Sequence, residues 1–259
     1  MIPPDDRGFT LGDGVFETVL ADAGRLVWFE AHIARMAAGA AALGLPPPGV
    51  AEAERDASSS LIAAGLERAR AAVRLTWTAG SGGRGLERPA PLTPRLVVTC
   101  AAAPRTAQPL LLAVSSVRRN AGSPTSRHKT LAYLDNVLAR REAREAGADE
   151  AVMLNSAGEV ACAAAANLFW TQGDRLFTPA LACGALAGIV RAAVLGAAPT
   201  LGLAVEEGAY AEAAMRDADA VFVTNSLIGV RAVVHRGSDG GALVSALADA
   251  VEALSRSSR

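Results

Sequence analysis

Lys129, in the run Ser126-Arg127-His128-Lys129-Thr130-Leu131, is the single lysine among 25 basic side chains; the other 24 are arginine. Arginine cannot lose its proton near neutral pH, whereas a lysine amine, with a reference pKa of about 10.4, becomes nucleophilic when its surroundings lower that value. A lysine kept in a chain that otherwise uses arginine is therefore a candidate for Schiff-base chemistry. The alternative is codon bias with one surface lysine left by chance. Two further stretches have the composition of a site. Asp6 to Thr18 sets three glycines and two acids ahead of a strand, as a tight turn beside a site would, although glycine and aspartate also build ordinary turns. Gly80-Ser81-Gly82-Gly83-Arg84-Gly85 has the glycines of a dinucleotide loop, but Pro89, Pro91 and Pro94 follow, so no phosphate-binding helix can start behind it. It reads better as a mobile loop that carries Arg84 toward an anionic substrate.

The elements that must position these residues follow from periodicity. Alternation in Val15 to Leu20 and Arg25 to Phe29, around Ala21-Asp22-Ala23-Gly24, predicts a hairpin. A helix over 30–43 places Ile33, Met36, Ala37 and Ala40 on one stripe, and a second runs over 50–65. Strands are expected over 71–78 and 95–100, flanking the glycine-rich loop. This half reads as α+β. Small residues and two prolines over 101–109 form the best linker, which gives domains over 1–100 and 110–259. The second half opens with a strand over 110–117. A polar loop over 118–128 then gives way at Lys129 to a helix reaching about Ala146, with Leu131, Leu134, Leu138 and Ala139 inward. Strands over 150–154, 167–171 and 175–178, a helix over 187–197, strands over 220–224 and 230–234, and a closing amphipathic helix over 241–255 complete the reading.

With 259 residues and 51% apolar content the chain can bury a sizeable core. A formal net charge of −1, with no basic cluster, argues against nucleic acid or anionic lipid as a partner. The alanine-rich runs are too short and too interrupted to cross a bilayer, and the first residues lack the pattern of a signal peptide, so a cytoplasmic location is expected. Cys100, Cys162 and Cys183 are odd in number and widely spaced, which argues against a disulfide framework and a zinc site.

Six segments in order resemble the class IV aminotransferase family, the fold type IV enzymes that use pyridoxal phosphate. They are Asp6-Arg7-Gly8 through Glu17, Ala31-His32-Ile33-Ala34-Arg35-Met36, Lys129 through Ala139, Ala165 through Trp170, Ala187-Gly188-Ile189-Val190-Arg191 and Thr224-Asn225-Ser226-Leu227. The likeness spans nearly the whole chain and implies an α+β, two-domain fold like that of D-amino-acid aminotransferase. It also implies a homodimer acting on a small-molecule amino substrate, because family sites border the partner subunit. Lys129 matches the lysine that forms the Schiff base and shuttles the proton, and Arg35 the arginine that grips the cofactor phosphate. Gly188, Ile189 and Val190 match the turn whose N–H groups cradle that phosphate, and Asn225 and Ser226 the second phosphate-side loop. Tyr133, one helical turn after Lys129, matches a tyrosine near the cofactor in branched-chain members. The resemblance puts Phe16 and Arg84 on the substrate side.

Within the family, Gly80 to Gly85 and the small residues leading into Asn167-Leu168-Phe169-Trp170 look most like the 4-amino-4-deoxychorismate lyases, which make 4-aminobenzoate and pyruvate. D-amino-acid and branched-chain aminotransferases share the scaffold and stand as the alternative. One position departs from the pattern. Relatives carry a glutamate where this chain has Cys162, and that carboxylate keeps the pyridine nitrogen protonated. Either Glu159 substitutes through a local register change, or Cys162 is a thiolate, or the ring works unprotonated and slowly, or the chain is a catalytically weak family member; otherwise Cys162 is a small buried residue filling space. Relatives also begin with an additional strand or hairpin, so either the true start lies upstream or the first sheet is trimmed.

Overall fold

Asp6 caps the first helix, its side chain accepting from the Gly8 N–H at 2.8 Å, and α1 runs Arg7–Leu11. Gly12 ends it at φ 67°, in the left-handed region that a residue without Cβ enters freely. The stretch expected as a turn thus holds a short helix before β1 (Gly14–Asp22). β1 pairs antiparallel with β2 (Arg25–Leu26), the hairpin read from alternation. β2 is only two residues long, because Trp28 adopts φ 52° and Phe29 already opens α2 (Phe29–Ala42). α3 (Val50–Ala63), β3 (Arg70–Thr78) and β4 (Arg95–Ala102) follow, and the sheet order is β2-β1-β3-β4. Val15, Val19, Val73 and Leu75 share one buried core with Ile33 and Met36 of α2 and with Ala57 and Leu61 of α3. β4 runs two residues into the stretch read as a linker.

The computed structural model describes residues 2–238 and 240–257. Its chain divides into two compact units: the first ends at Pro104 but also includes His128–Ala132, and the second comprises Arg105–Arg127 and Tyr133–Ser257. The second unit contains β5 (Leu112–Val114), α4 (Pro124–Arg127), α5 (Leu134–Glu145), β6 (Glu150–Leu154), β7 (Val160–Ala163), β8 (Asn167–Gln172) and β9 (Arg175–Pro179). It continues with α6 (Ile189–Ala197), β10 (Ala204–Gly208), α7 (Glu212–Arg216), β11 (Ala220–Asn225), β12 (Gly229–Val233) and α8 (Gly241–Ser257). One sheet has the order β10-β9-β8-β11-β12, with only the β10–β9 pair parallel, and the other the order β5-β6-β7. Leu168, Trp170, Val221 and Val223 from the first of these meet Val152, Leu154 and Val160 from the second in one core.

The helix expected to start at Lys129 starts at Leu134 instead, five residues later. His128–Ala132 is a turn bridged to β1 at Thr130, opposite Val15: Phe16 donates its N–H to the Lys129 carbonyl at 2.8 Å, and Leu131 donates to Gly14 at 3.0 Å. These backbone bonds outweigh the helical propensity of the segment, because β1 would otherwise carry unpaired groups here. Leu134, expected inward, is therefore exposed at the first turn of α5, while Ala139 is buried. The Gly80–Gly85 loop is not loose either. The buried Arg7 guanidinium donates to the carbonyls of Gly85, Leu86 and Glu87 at 2.9 to 3.3 Å and ties it to α1. No helix among the described residues is long and apolar enough to cross a membrane.

Candidate active site

Strand alternation divides the side chains of β1 between two environments. Glu17 lies on the α2 side, fully buried, and its carboxylate accepts from His32 Nδ1 at 2.7 Å and from Arg35 Nε and Nη2 at 2.7 and 2.6 Å. Burial alone would raise the Glu17 carboxyl, but the His32 and Arg35 hydrogen bonds and the Arg35 charge hold it down at about 2. Burial pushes the His32 imidazole below its ordinary value, against the pull of Glu17. Arg35 is thus locked by a fork of two hydrogen bonds, which removes much of the rotamer freedom of a long cation.

Phe16 lies on the opposite face. The Lys129 ammonium sits 4.3 Å from its ring centroid, and the Arg74 guanidinium carbon 3.8 Å away. Arg74 pairs in register with Thr18, which makes it the diagonal neighbour of Phe16 on that face. An aromatic ring carrying two cations suits an anionic, partly planar ligand. Arg74 was missed in the sequence because its signal is only one polar position in an alternating strand. Arg84, the residue expected to meet a substrate carboxylate, is exposed at the loop, with its backbone bridged to Glu87.

In the second unit, α6 begins at Ile189 behind Gly188, and no side chain caps it. Ile189 and Val190 therefore point backbone N–H groups at whatever lies beyond the helix end, a ready anion site. A Cβ on Gly188 would fall 1.9 Å from Asn167 Oδ1, so only glycine lets the helix start approach β8 this closely. Asn167 is anchored by donating to the Leu186 carbonyl at 2.8 Å. Thr224 pairs with Asn167 across β11 and β8, and its hydroxyl oxygen is buried without a partner among the described residues. An orphaned hydroxyl at an uncapped helix start fits a phosphate group. In the sequence Thr224 is a single hydroxyl at the end of an apolar run, with no signal of its own. Asn225 spends its side chain on the fold, accepting from the Leu227 and Ile228 N–H groups at 2.9 and 3.0 Å and donating to Ala165 at 2.9 Å, while Ser226 is half-buried in the turn it builds.

Tyr133 is half-buried and precedes α5 as its cap residue, so it is not one helical turn beyond Lys129. Cys162 is buried on β7 among Ala139, Ala143, Ala151, Met153 and Ala161. Burial pushes its thiol above the ordinary range, with the Arg119 charge acting against that, which disfavours a thiolate. Glu159 does not replace the absent carboxylate, because it accepts from Asn155 Nδ2 at 2.8 Å. The ring-nitrogen carboxylate of the resemblance is therefore not matched by Cys162 or Glu159, whereas the start of α6 has donors of the kind a phosphate needs.

The family described as amino-transferase class IV matches residues 14–235. The aminodeoxychorismate lyase of Vibrio harveyi is 30% identical over 237 residues, covering 90% of this chain and 86% of its own. The D-alanine aminotransferase of Listeria innocua is 27% identical over 241 residues, covering 89% and 81%. A Mycobacterium tuberculosis protein described as a hypothetical aminotransferase, solved with α-ketoglutarate and PMP bound, superposes with a TM-score of 0.86 at 23% identity, covering 100% of this chain and 94% of that one. At that identity the likeness is one of fold. The matched span contains Lys129, Arg35, Gly188 and Asn225, and on it the chain belongs to the class IV aminotransferase family.

Proposed function

We propose that this chain is a pyridoxal 5′-phosphate-dependent lyase that converts 4-amino-4-deoxychorismate to 4-aminobenzoate and pyruvate, acting as a homodimer. The observation that carries the reading is the 30% identity to an aminodeoxychorismate lyase over nine-tenths of the chain. The cationic, aromatic face made by Phe16, Arg74 and Lys129 supports it, since the substrate is a ring that bears carboxylates.

In the second unit the start of α6 with the Thr224 hydroxyl would hold the phosphate, and in the first Arg35, held by Glu17, presents a fixed cation. Lys129 would hold the aldehyde. When bound, the cofactor supplies a carbonyl carbon for the substrate amine and a conjugated ring that accepts an electron pair. With the substrate amine in its place, the free Lys129 amine would take the proton from the substrate ring carbon, and the enolpyruvyl group would leave as enolpyruvate, which takes up a proton to become pyruvate. Arg74 would orient a substrate carboxylate, and Arg84, on the loop tied down by Arg7, would meet a second one.

The D-alanine aminotransferase relative, 27% identical, favours a second reading in which Lys129 moves the proton within an amino-acid substrate and a keto acid is needed to complete the cycle. The two separate in one experiment. Purified protein loaded with cofactor and given 4-amino-4-deoxychorismate should release pyruvate with no keto-acid acceptor present. Turnover that appears only when an acceptor is added rejects the lyase and leaves the aminotransferase.

A further inference from the structure

Asp13 lies between Gly12 and Gly14, immediately before β1, and its carboxylate is shared by two arginines of the first unit. Arg7 donates to Oδ2 from Nε at 2.9 Å, and Arg88 donates to Oδ2 from Nε at 3.0 Å and to Oδ1 from Nη2 at 2.5 Å. Both guanidiniums turn other N–H groups on backbone carbonyls. Those of Arg7 hold Gly85, Leu86 and Glu87, and Nη1 of Arg88 donates to Leu43, at the end of α2, at 2.6 Å. The Asp13 carbonyl accepts from the Ala79 N–H at 3.0 Å, at the root of the same loop. Leu86, the one large apolar side chain over 80–88, is 85% exposed, so apolar burial does not set the loop's shape. The charge-assisted hydrogen bonds to Asp13 and from Arg7 do.

Arg84 sits on this loop between the points that are tied down, and the turn that supplies Asp13 leads straight into the stretch of β1 that carries Phe16 and accepts from Leu131. One carboxylate therefore fixes the Arg84 loop to the strand whose ring bears Lys129 and Arg74. Resting on the reading in which Arg84 meets a substrate carboxylate, we propose that Asp13 is a positioning residue that, through Arg7 and Arg88, holds this loop in its binding shape before the substrate arrives. Arg84 and the Phe16 face are then a matched pair for a substrate with two carboxylates. A loop ordered in advance loses less conformational freedom when its arginine is engaged, which shows as tighter binding and not as a faster chemical step. Removing the Asp13 charge releases both arginines at once and lets the loop sample other shapes.

Two measurements test this on the wild type, Asp13→Asn, Arg88→Gln, Arg84→Ala and the double variant Asp13→Asn/Arg84→Ala: hydrogen exchange over 80–88 without substrate, and pyruvate release from 4-amino-4-deoxychorismate by the cofactor-loaded protein. Exchange over the loop should be slow in the wild type and at least about tenfold faster in Asp13→Asn and Arg88→Gln, and KM should rise about tenfold in both with kcat within about twofold, the size of one lost charge-assisted bond. Arg84→Ala should raise KM as well, and adding Asp13→Asn to it should raise KM no further, because Asp13 acts through Arg84. KM effects that multiply in the double variant, or a wild-type loop that exchanges fast and is slowed only by substrate, overturn the inference. Arg88→Gln, at a side chain that is 31% exposed, decides the matter if Asp13→Asn does not fold. Unchanged KM in Arg84→Ala rejects the carboxylate role of Arg84, and a wild type that releases no pyruvate rejects the lyase reading; either result removes the purpose of the latch, while exchange still reports separately whether the loop is held.

Discussion

Lys129 stands over an aromatic ring on a segment hydrogen-bonded to β1, and no second lysine exists in the chain to take over its chemistry. Replacing it by alanine should therefore abolish any borohydride-fixed cofactor adduct seen by mass spectrometry, and should lower turnover by about 10²- to 10⁴-fold, the range a positioned acid–base group supplies, or more. An adduct on intact protein that survives Lys129→Ala would remove the assignment. The composition alone singled out this residue, because only the amine of lysine, and not a guanidinium, can be both nucleophile and base. Its neighbours were less legible. Phe16 and Arg35 lay in recognisable segments, but Glu17 and His32, which fix Arg35, read as one polar position in a strand and one in a helix. Their pairing exists only because β1 and α2 pack together. Cys162 was visible as a departure, whereas the burial of Arg119 was not, since in the sequence it is one of several cations in a polar loop.

Elements place the remaining groups, and α6 shows how closely. The 1.9 Å approach of a hypothetical Gly188 Cβ to Asn167 Oδ1 means that Gly188→Ala must push the helix start from β8 or break the Asn167 bond to Leu186. Overpacking of this kind costs roughly 1–3 kcal/mol, which chemical denaturation would register. The same shift should weaken pyridoxal phosphate binding at least about tenfold, because N–H groups aimed at an anion lose strength quickly with distance and angle. Unchanged binding by absorbance titration would show that the phosphate lies elsewhere. Most strands and helices were legible from their periods, and their ends moved by a few residues where a cap or a partner strand decided them. The short elements α1, α4, β7, β10 and α7 had no such signal, and the largest displacement is in the segment after His128. Leu131, Leu134 and Leu138 have helical spacing, yet the segment up to Ala132 is a turn bridged to β1, since the backbone of that strand needs the bonds.

At the scale of the molecule, acid stability tests the charge arrangement. The Glu17 carboxyl is lowered from an ordinary 4.5 to about 2 in the folded chain, so its contribution is present above pH 4.5 and is lost as pH falls toward 2. Asp13, held below its ordinary value by Arg88 and Arg7 despite burial, acts in the same direction. Glu150 acts oppositely, because burial raises its pKa and its ionisation therefore opposes folding as pH rises. Denaturation midpoints should accordingly fall between pH 4.5 and 2 in the wild type. In Glu17→Gln the fall should be shallower, starting from a stability at neutral pH lower by about 3–5 kcal/mol, since the buried His32 and the partly buried Arg35 lose a charged carboxylate. Equal slopes in the two proteins would refute the buried ion pair. By itself the sequence determined the α+β pattern, the family and the one residue able to make a Schiff base, because periodicity and residue chemistry are local properties. Only the tertiary structure decided that Lys129 rides on β1 rather than on a helix, that Arg74 joins it over Phe16, and that Asp13 is shared by Arg7 and Arg88. Each of these depends on which distant backbone groups need hydrogen bonds and on which charges burial brings together, and neither is written along the chain.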